Sequence, residues 1–132
     1  MHLNKIIITG GSNGIGKALL KNFLTKSFKV LCLSRTKPKI KNNNLTFIKI
    51  DLSKRKQLLK LKKKIIDFDA KYLICNAANL GEINYFENIN LKKWENSFFL
   101  NLFSHIYITK FCLNSIKKKK RYHFLFSRRG CC

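Results

Sequence analysis

The chain has 132 residues, of which 45% are hydrophobic and 12% aromatic, enough for one domain (1–132) with a packed core and too few for two. A single proline, no apolar run near the ~18–20 residues that span a bilayer, and no secretory signal in Met1 to Gly11 exclude disordered, fibrous, membrane-spanning and secreted classes, leaving the cytoplasm. A formal charge of +22 suits a nucleic-acid binder, but the lysines are spread along the whole chain with much Asn, Ile and Phe, so compositional drift is favoured over a phosphate-tracking patch.

Short apolar runs alternate with longer amphipathic segments. Lys5–Thr9 reads as a strand that stops at glycine. Ile15 to about Lys26 is a helix with Ile15, Leu19, Phe23 and Leu24 on its inner side. Phe28–Ser34 is the second strand, Lys37–Asn44 a polar loop and Leu45–Ile50 the third strand, closed by Asp51. Lys54–Asp67 is a helix with Leu58, Leu61 and Ile65 inward, Lys71–Cys75 the fourth strand, and Ala77–Asn90 a loop. Leu91 to Asn114 is the longest helix, and Tyr122–Phe126 a fifth strand. This alternation predicts an α/β fold, a parallel sheet with helices on both faces. The continuously apolar strands suit a sheet covered on two sides.

The long helix carries Trp94, Phe98, Phe99, Leu102, Phe103 and Ile106 around most of its surface. Such a helix is either covered by a partner subunit or further chain, or wedged thickly against the sheet. The run Lys117–Arg121 at its end reads as a solvated terminus that complements the helix dipole. Five cysteines, an odd count without regular spacing, argue against a disulfide framework. Neither they nor the three histidines have ligand spacing, so no metal site is expected.

Thr9-Gly10-Gly11-Ser12-Asn13-Gly14-Ile15-Gly16 joins the first strand to the first helix. Glycines let a ligand approach the backbone there, and the free N–H groups of the helix start point at anionic oxygens. Gly11 to Lys17 fits the P-loop spacing, but Ala18 stands where magnesium needs a hydroxyl. The alternative Thr-Gly-x-x-x-Gly-x-Gly is complete.

This turn resembles that of the short-chain dehydrogenase/reductase family, and further signals follow in order. Asp51-Leu52 ends the third strand, and Asn76-Ala77-Ala78 ends the fourth, similar to the family's Asn-Ala-Gly. Asn101 lies in the long helix, 25 residues past Asn76, and Ser127 stands in Phe-Ser-Arg-Arg-Gly, similar to Ser-Ser-x-x-Gly. Taken singly, Asp51 could be a strand-ending acid, Ser53 a helix cap and Asn76 a turn residue.

The resemblance implies a Rossmann-like doubly wound sheet of strand order 3-2-1-4-5, here truncated after the fifth strand. It implies a dinucleotide held by Gly10, Ser12, Asn13, Gly14, Ile15, Gly16, Asp51, Leu52, Asn76, Ala77 and Ala78. The second strand ends Ser34-Arg35-Thr36 without the acid that NAD-preferring members place there. Arg35 suits a 2′-phosphate, so NADP(H) is favoured over NAD(H), with Ser34 and Thr36 as added hydroxyls. The implied reaction is hydride transfer to or from a small-molecule carbonyl or alcohol. Ser127 would hold the substrate oxygen and Asn101 would order a water in the proton relay. The family's Tyr-x-x-x-Lys falls about a dozen residues beyond the serine, and this sequence ends 5 residues after Ser127. Turnover by this chain alone is therefore not expected. A nucleotide-binding remnant without chemistry and a basic nucleic-acid binder are the alternatives. The 91–114 helix is the candidate surface for a homo-oligomer.

Overall fold

A computed structural model describes residues 4–118 and 124–126. Five strands, β1 (Lys5–Thr9), β2 (Lys29–Ser34), β3 (Leu45–Lys49), β4 (Tyr72–Cys75) and β5 (Phe124–Phe126), form one sheet in the order β3-β2-β1-β4-β5. Every pairing is parallel, with Ile7 of β1 opposite Leu31 on one side and Leu73 on the other. The helices are α1 (Gly14–Thr25), α2 (Arg55–Lys60), α3 (Lys62–Phe68), α4 (Leu91–Phe98) and α5 (Ser104–Lys118). A five-residue π turn, Phe99–Phe103, links α4 to α5 in one continuous rod.

Side chains alternate across the pleat, so each apolar strand feeds two cores. Ile6, Ile8, Val30, Cys32 and Ile74 meet Leu20 and Leu24 of α1. Ile7, Leu31, Leu33, Leu73 and Cys75 meet the inner residues of α2, α3 and α5, among them Leu58, Ile65, Ile108 and Ile116. The chain leaves β1 to α1 and returns to β2, but comes back from β3 through α2 and α3 to β4 on the opposite side of β1. The connections leaving the carboxyl ends of β1 and β4 pass to opposite faces of the sheet, α1 on one and α5 on the other, and leave a crevice above the strand ends, the place where doubly wound sheets take ligands.

Three local readings change. In α1 the buried residues are Gly16, Leu20 and Leu24, while Ile15 is 56% exposed. The start of α1 lies so close to β1 and β4 that only a glycine fits underneath, and Ile15, a hundred degrees round the helix, turns outward. The helix expected over 54–67 is two, divided at Leu61, which ends α2 and precedes α3; Leu58, Leu61 and Ile65 are nonetheless all buried. The loop at 77–90 contains a single 3₁₀ turn, Phe86–Asn88.

The rod α4–α5 is buried along one stripe only. Ile108, Cys112 and Ile116 face the sheet, whereas Trp94, Phe98, Leu102 and Ile106 are exposed. No helix among the described residues is long and apolar enough to cross a membrane.

Candidate functional site

β1 ends in Thr9, and its side chain fastens the neighbouring strand end. The Thr9 Oγ1 accepts from the backbone N–H of Asn76 at 2.9 Å and of Ala77 at 3.0 Å. The Asn76 amide donates to the Gly10 carbonyl at 3.0 Å, and the Gly10 N–H donates to Leu33 of β2 at 2.8 Å. Three strand ends are thus tied together beneath the turn. Gly16 closes this arrangement from the helix side. A Cβ there would fall on the Gly10 carbonyl oxygen and the Asn76 side-chain amide. Gly14 is the opposite case: its φ is +52°, and a Cβ would meet nothing within 4 Å. One glycine is required by packing, the other by conformation on a side left open.

The first turn of α1 follows Asn13, whose side chain makes no capping hydrogen bond, and no acidic residue lies in that turn. The N-terminal N–H groups of a 12-residue helix thus lack both a capping side chain and a neighbouring carboxylate. They open beside a cleft whose mouth is open to solvent.

Eleven of the residues read from the sequence line that cleft: Gly10, Ser12 and Asn13 of the turn, Ser34, Arg35 and Thr36 after β2, Asp51 and Leu52 after β3, and Asn76, Ala77 and Ala78 after β4. Gly14, Ile15 and Gly16 stand at its border in the first turn of α1, with Gly16 behind the turn and Ile15 facing outward. Leu33, Ile50 and Leu100 also line it, and no motif in the sequence marks them. Leu33 and Ile50 immediately precede Ser34 and Asp51, and a rule that takes the last apolar residue of each central strand as cleft floor would find them.

The polar groups divide by what they have left to offer. Ser34, 6% exposed, donates its hydroxyl to the Thr36 carbonyl at 2.8 Å. It shapes the turn after β2 instead of presenting the free donor expected of it. Arg35 extends into solvent at the rim. Asp51 accepts from the N–H and hydroxyl of Ser53 at 3.0 and 2.6 Å through Oδ1. Ser53 therefore holds Asp51 and does not cap α2, whose N-cap is Lys54.

Asn101 lies in the π turn, next to Leu100 of the cleft. Its Oδ1 accepts from the Asn79 N–H at 2.9 Å and its Nδ2 donates to the Asn79 carbonyl at 2.8 Å. This two-point clasp holds the segment after β4 against the rod. Ser127 falls outside the described residues. Among the described residues no group of three His, Cys, Asp or Glu side chains gathers as metal ligands would.

Residues 4–122 match the family model for short chain dehydrogenases. The chain belongs to the short-chain dehydrogenase/reductase family. That family comprises oxidoreductases that bind NAD(P). A 3-oxoacyl-(acyl-carrier-protein) reductase of Buchnera aphidicola from Acyrthosiphon pisum is 28% identical over 135 residues, covering 92% of this chain and 53% of its own length. In fold, a short chain dehydrogenase from Leptospira borgpetersenii with bound NAD+ superposes with a TM-score of 0.78 at 24% identity, covering 96% of this chain and 51% of that one. A short-chain dehydrogenase/reductase from Burkholderia vietnamiensis superposes with a TM-score of 0.86 at 18% identity, covering 95% and 65%. The chain spans about half the length of the curated relatives it matches.

Proposed function

We propose that residues 1–132 form one dinucleotide-binding unit that takes NADP(H) in this cleft, in the service of hydride exchange with a carbonyl or alcohol. The observation that carries the reading is the uncapped start of α1 opening beside Gly14, where nothing of the chain fills the space. A pyrophosphate there would receive hydrogen bonds from amides that otherwise lack protein acceptors. The Asp51-Leu52 strand end would border the adenine, and Arg35 would pair with the 2′-phosphate as a fixed, always-charged fork. No acidic residue follows β2 to accept from the ribose hydroxyls of NAD(H).

Bound, the nicotinamide gives or takes a hydride. Asn76 and Ala77, held by Thr9, would wall the nicotinamide side of the cleft. Asn101 fixes the loop after Asn79 by its clasp, and Ser127 would hold the substrate oxygen. The cytoplasm, a reducing compartment, suits the free thiols of Cys32, Cys75 and Cys112, all buried. The exposed side of the 91–114 helix is the surface a second copy would use.

Fluorescence titration with NADPH and NADH tests the reading. NADPH is expected to bind more tightly, and Arg35→Ala to weaken NADPH by about tenfold to a hundredfold, the range of a lost charge-assisted pair, while leaving NADH unchanged. Equal binding of the two coenzymes, unmoved by Arg35→Ala, removes the 2′-phosphate assignment. No binding at millimolar coenzyme removes the dinucleotide site.

A further inference from the structure

His105 has no part in the reading above, yet it lies beneath the cleft. It sits on α5, one turn past Asn101, and is 5% exposed. Its Nε2 lies 3.4 Å from the Thr9 Oγ1, a long contact that spans 96 positions of sequence.

Hydrogen-bond accounting assigns the protons. The Thr9 hydroxyl already accepts from two backbone N–H groups, Asn76 and Ala77, so both of its lone pairs are engaged. Its own proton is then left to point at Nε2, which must accept. The other ring nitrogen, Nδ1, then carries the ring hydrogen. A ring whose Nε2 accepts is neutral. Burial works in the same direction, holding the imidazole below the ordinary histidine range, with the Asn101 carbonyl opposing more weakly.

We infer that His105 is a positioning residue: as the neutral Nδ1–H tautomer it accepts from the Thr9 hydroxyl, and so fixes the Asn76–Ala77 wall of the cleft relative to α5. Thr9 holds the wall, and His105 aims Thr9. The wall and α5 are thereby joined through one side chain. The inference rests on the dinucleotide reading only for its affinity readout; the ring and the amides report on it without coenzyme.

The test uses the full chain. In ¹⁵N-histidine NMR at pH 7, His105 is expected to show one protonated ring nitrogen assigned to Nδ1 and one unprotonated nitrogen assigned to Nε2. The Nε2–H tautomer or an imidazolium overturns the proposal. His105→Leu is expected to speed hydrogen exchange at the Asn76 and Ala77 amides by about tenfold and to weaken NADPH by a similar factor, one hydrogen bond's worth. His105→Gln, whose amide oxygen reaches the place of Nε2 and can accept from Thr9, is expected to recover most of both losses. His105→Asn, which keeps a donor near Nδ1 but no acceptor near Thr9, is expected not to. A folded leucine variant with unchanged exchange overturns the proposal, as does equal behaviour of the glutamine and asparagine variants. If the leucine variant does not fold, the ring signature of the native chain and the glutamine–asparagine contrast decide. Failure of the native chain to bind NADPH strikes at the dinucleotide reading, while the ring and exchange measurements still decide the role of His105.

Discussion

The glycine turn and the outer face of the long helix are opposites. At the turn, β1, β2 and β4 are tied by the Thr9 hydroxyl, the Asn76 amide and the Gly10 N–H, all within 3.0 Å of their partners. On the rod, Trp94 packs edge-on against Phe98, and both remain exposed, Phe98 to 58%. The turn completes its own packing and leaves space only where Gly14 faces out. The rod completes one side and leaves the other to solvent. The two regions differ in what they tolerate: the turn admits added atoms only at Gly14, whereas the rod has exposed apolar area that costs nothing internal to remove.

The largest effect expected on this contrast is at Gly16. Gly16→Val would drive side-chain carbons into the Gly10 carbonyl and the Asn76 amide, both backed by strand ends that cannot retreat. A loss of about 3 kcal/mol or more is expected in urea denaturation, at the upper end of overpacking costs. A loss below about 1 kcal/mol would mean that the turn is looser than its contacts imply.

A smaller effect lies one layer deeper. Burial lowers the tendency of His105 to protonate in the folded chain, whereas an unfolded histidine takes a proton below roughly pH 6.5. The unfolded state then binds more protons, so stability is fully present above that pH and declines as pH falls toward the folded value. Cys75 and Cys112, the buried thiols of β4 and α5, are pushed up to about 12 by burial and do not titrate in this window. Urea midpoints measured from pH 8 to 5 should fall at the acid end, and His105→Gln should flatten that part of the curve. An unchanged slope in the glutamine variant would remove His105 as its source.

The smallest change in stability is expected on the rod. Phe98→Ser with Leu102→Ser should shift unfolding by no more than about 0.5 kcal/mol each, as exposed substitutions do. The same pair should reduce self-association, read by light scattering, because it breaks the continuous apolar strip. A large loss of stability would mean that these side chains are buried after all.

Much of this contrast was legible from local pattern. The glycines, the apolar strands and the Asp51-Leu52 and Asn76-Ala77-Ala78 strand ends are short-range signals, and 11 cleft-lining residues follow from them. The apolar character of the long helix was equally plain. What local pattern missed depends on neighbours remote in sequence. Ile15 reads as an inner residue by spacing, yet the approach of α1 to β1 and β4 turns it outward and puts Gly16 beneath. Ser34 reads as a free hydroxyl until the turn after β2 brings the Thr36 carbonyl to it. The break at Leu61 has no glycine or proline to announce it.

Sequence alone therefore determined the element order, the parallel α/β class and the chemistry available at the strand ends, because strand period, helix period and glycine turns are properties of consecutive residues. Only the tertiary structure decided which glycine is walled in, which hydroxyl is already engaged, and that a histidine 96 positions from Thr9 lies against it. Those facts arise where separate strands and helices meet, and a linear pattern carries no record of which distant partner a side chain will find.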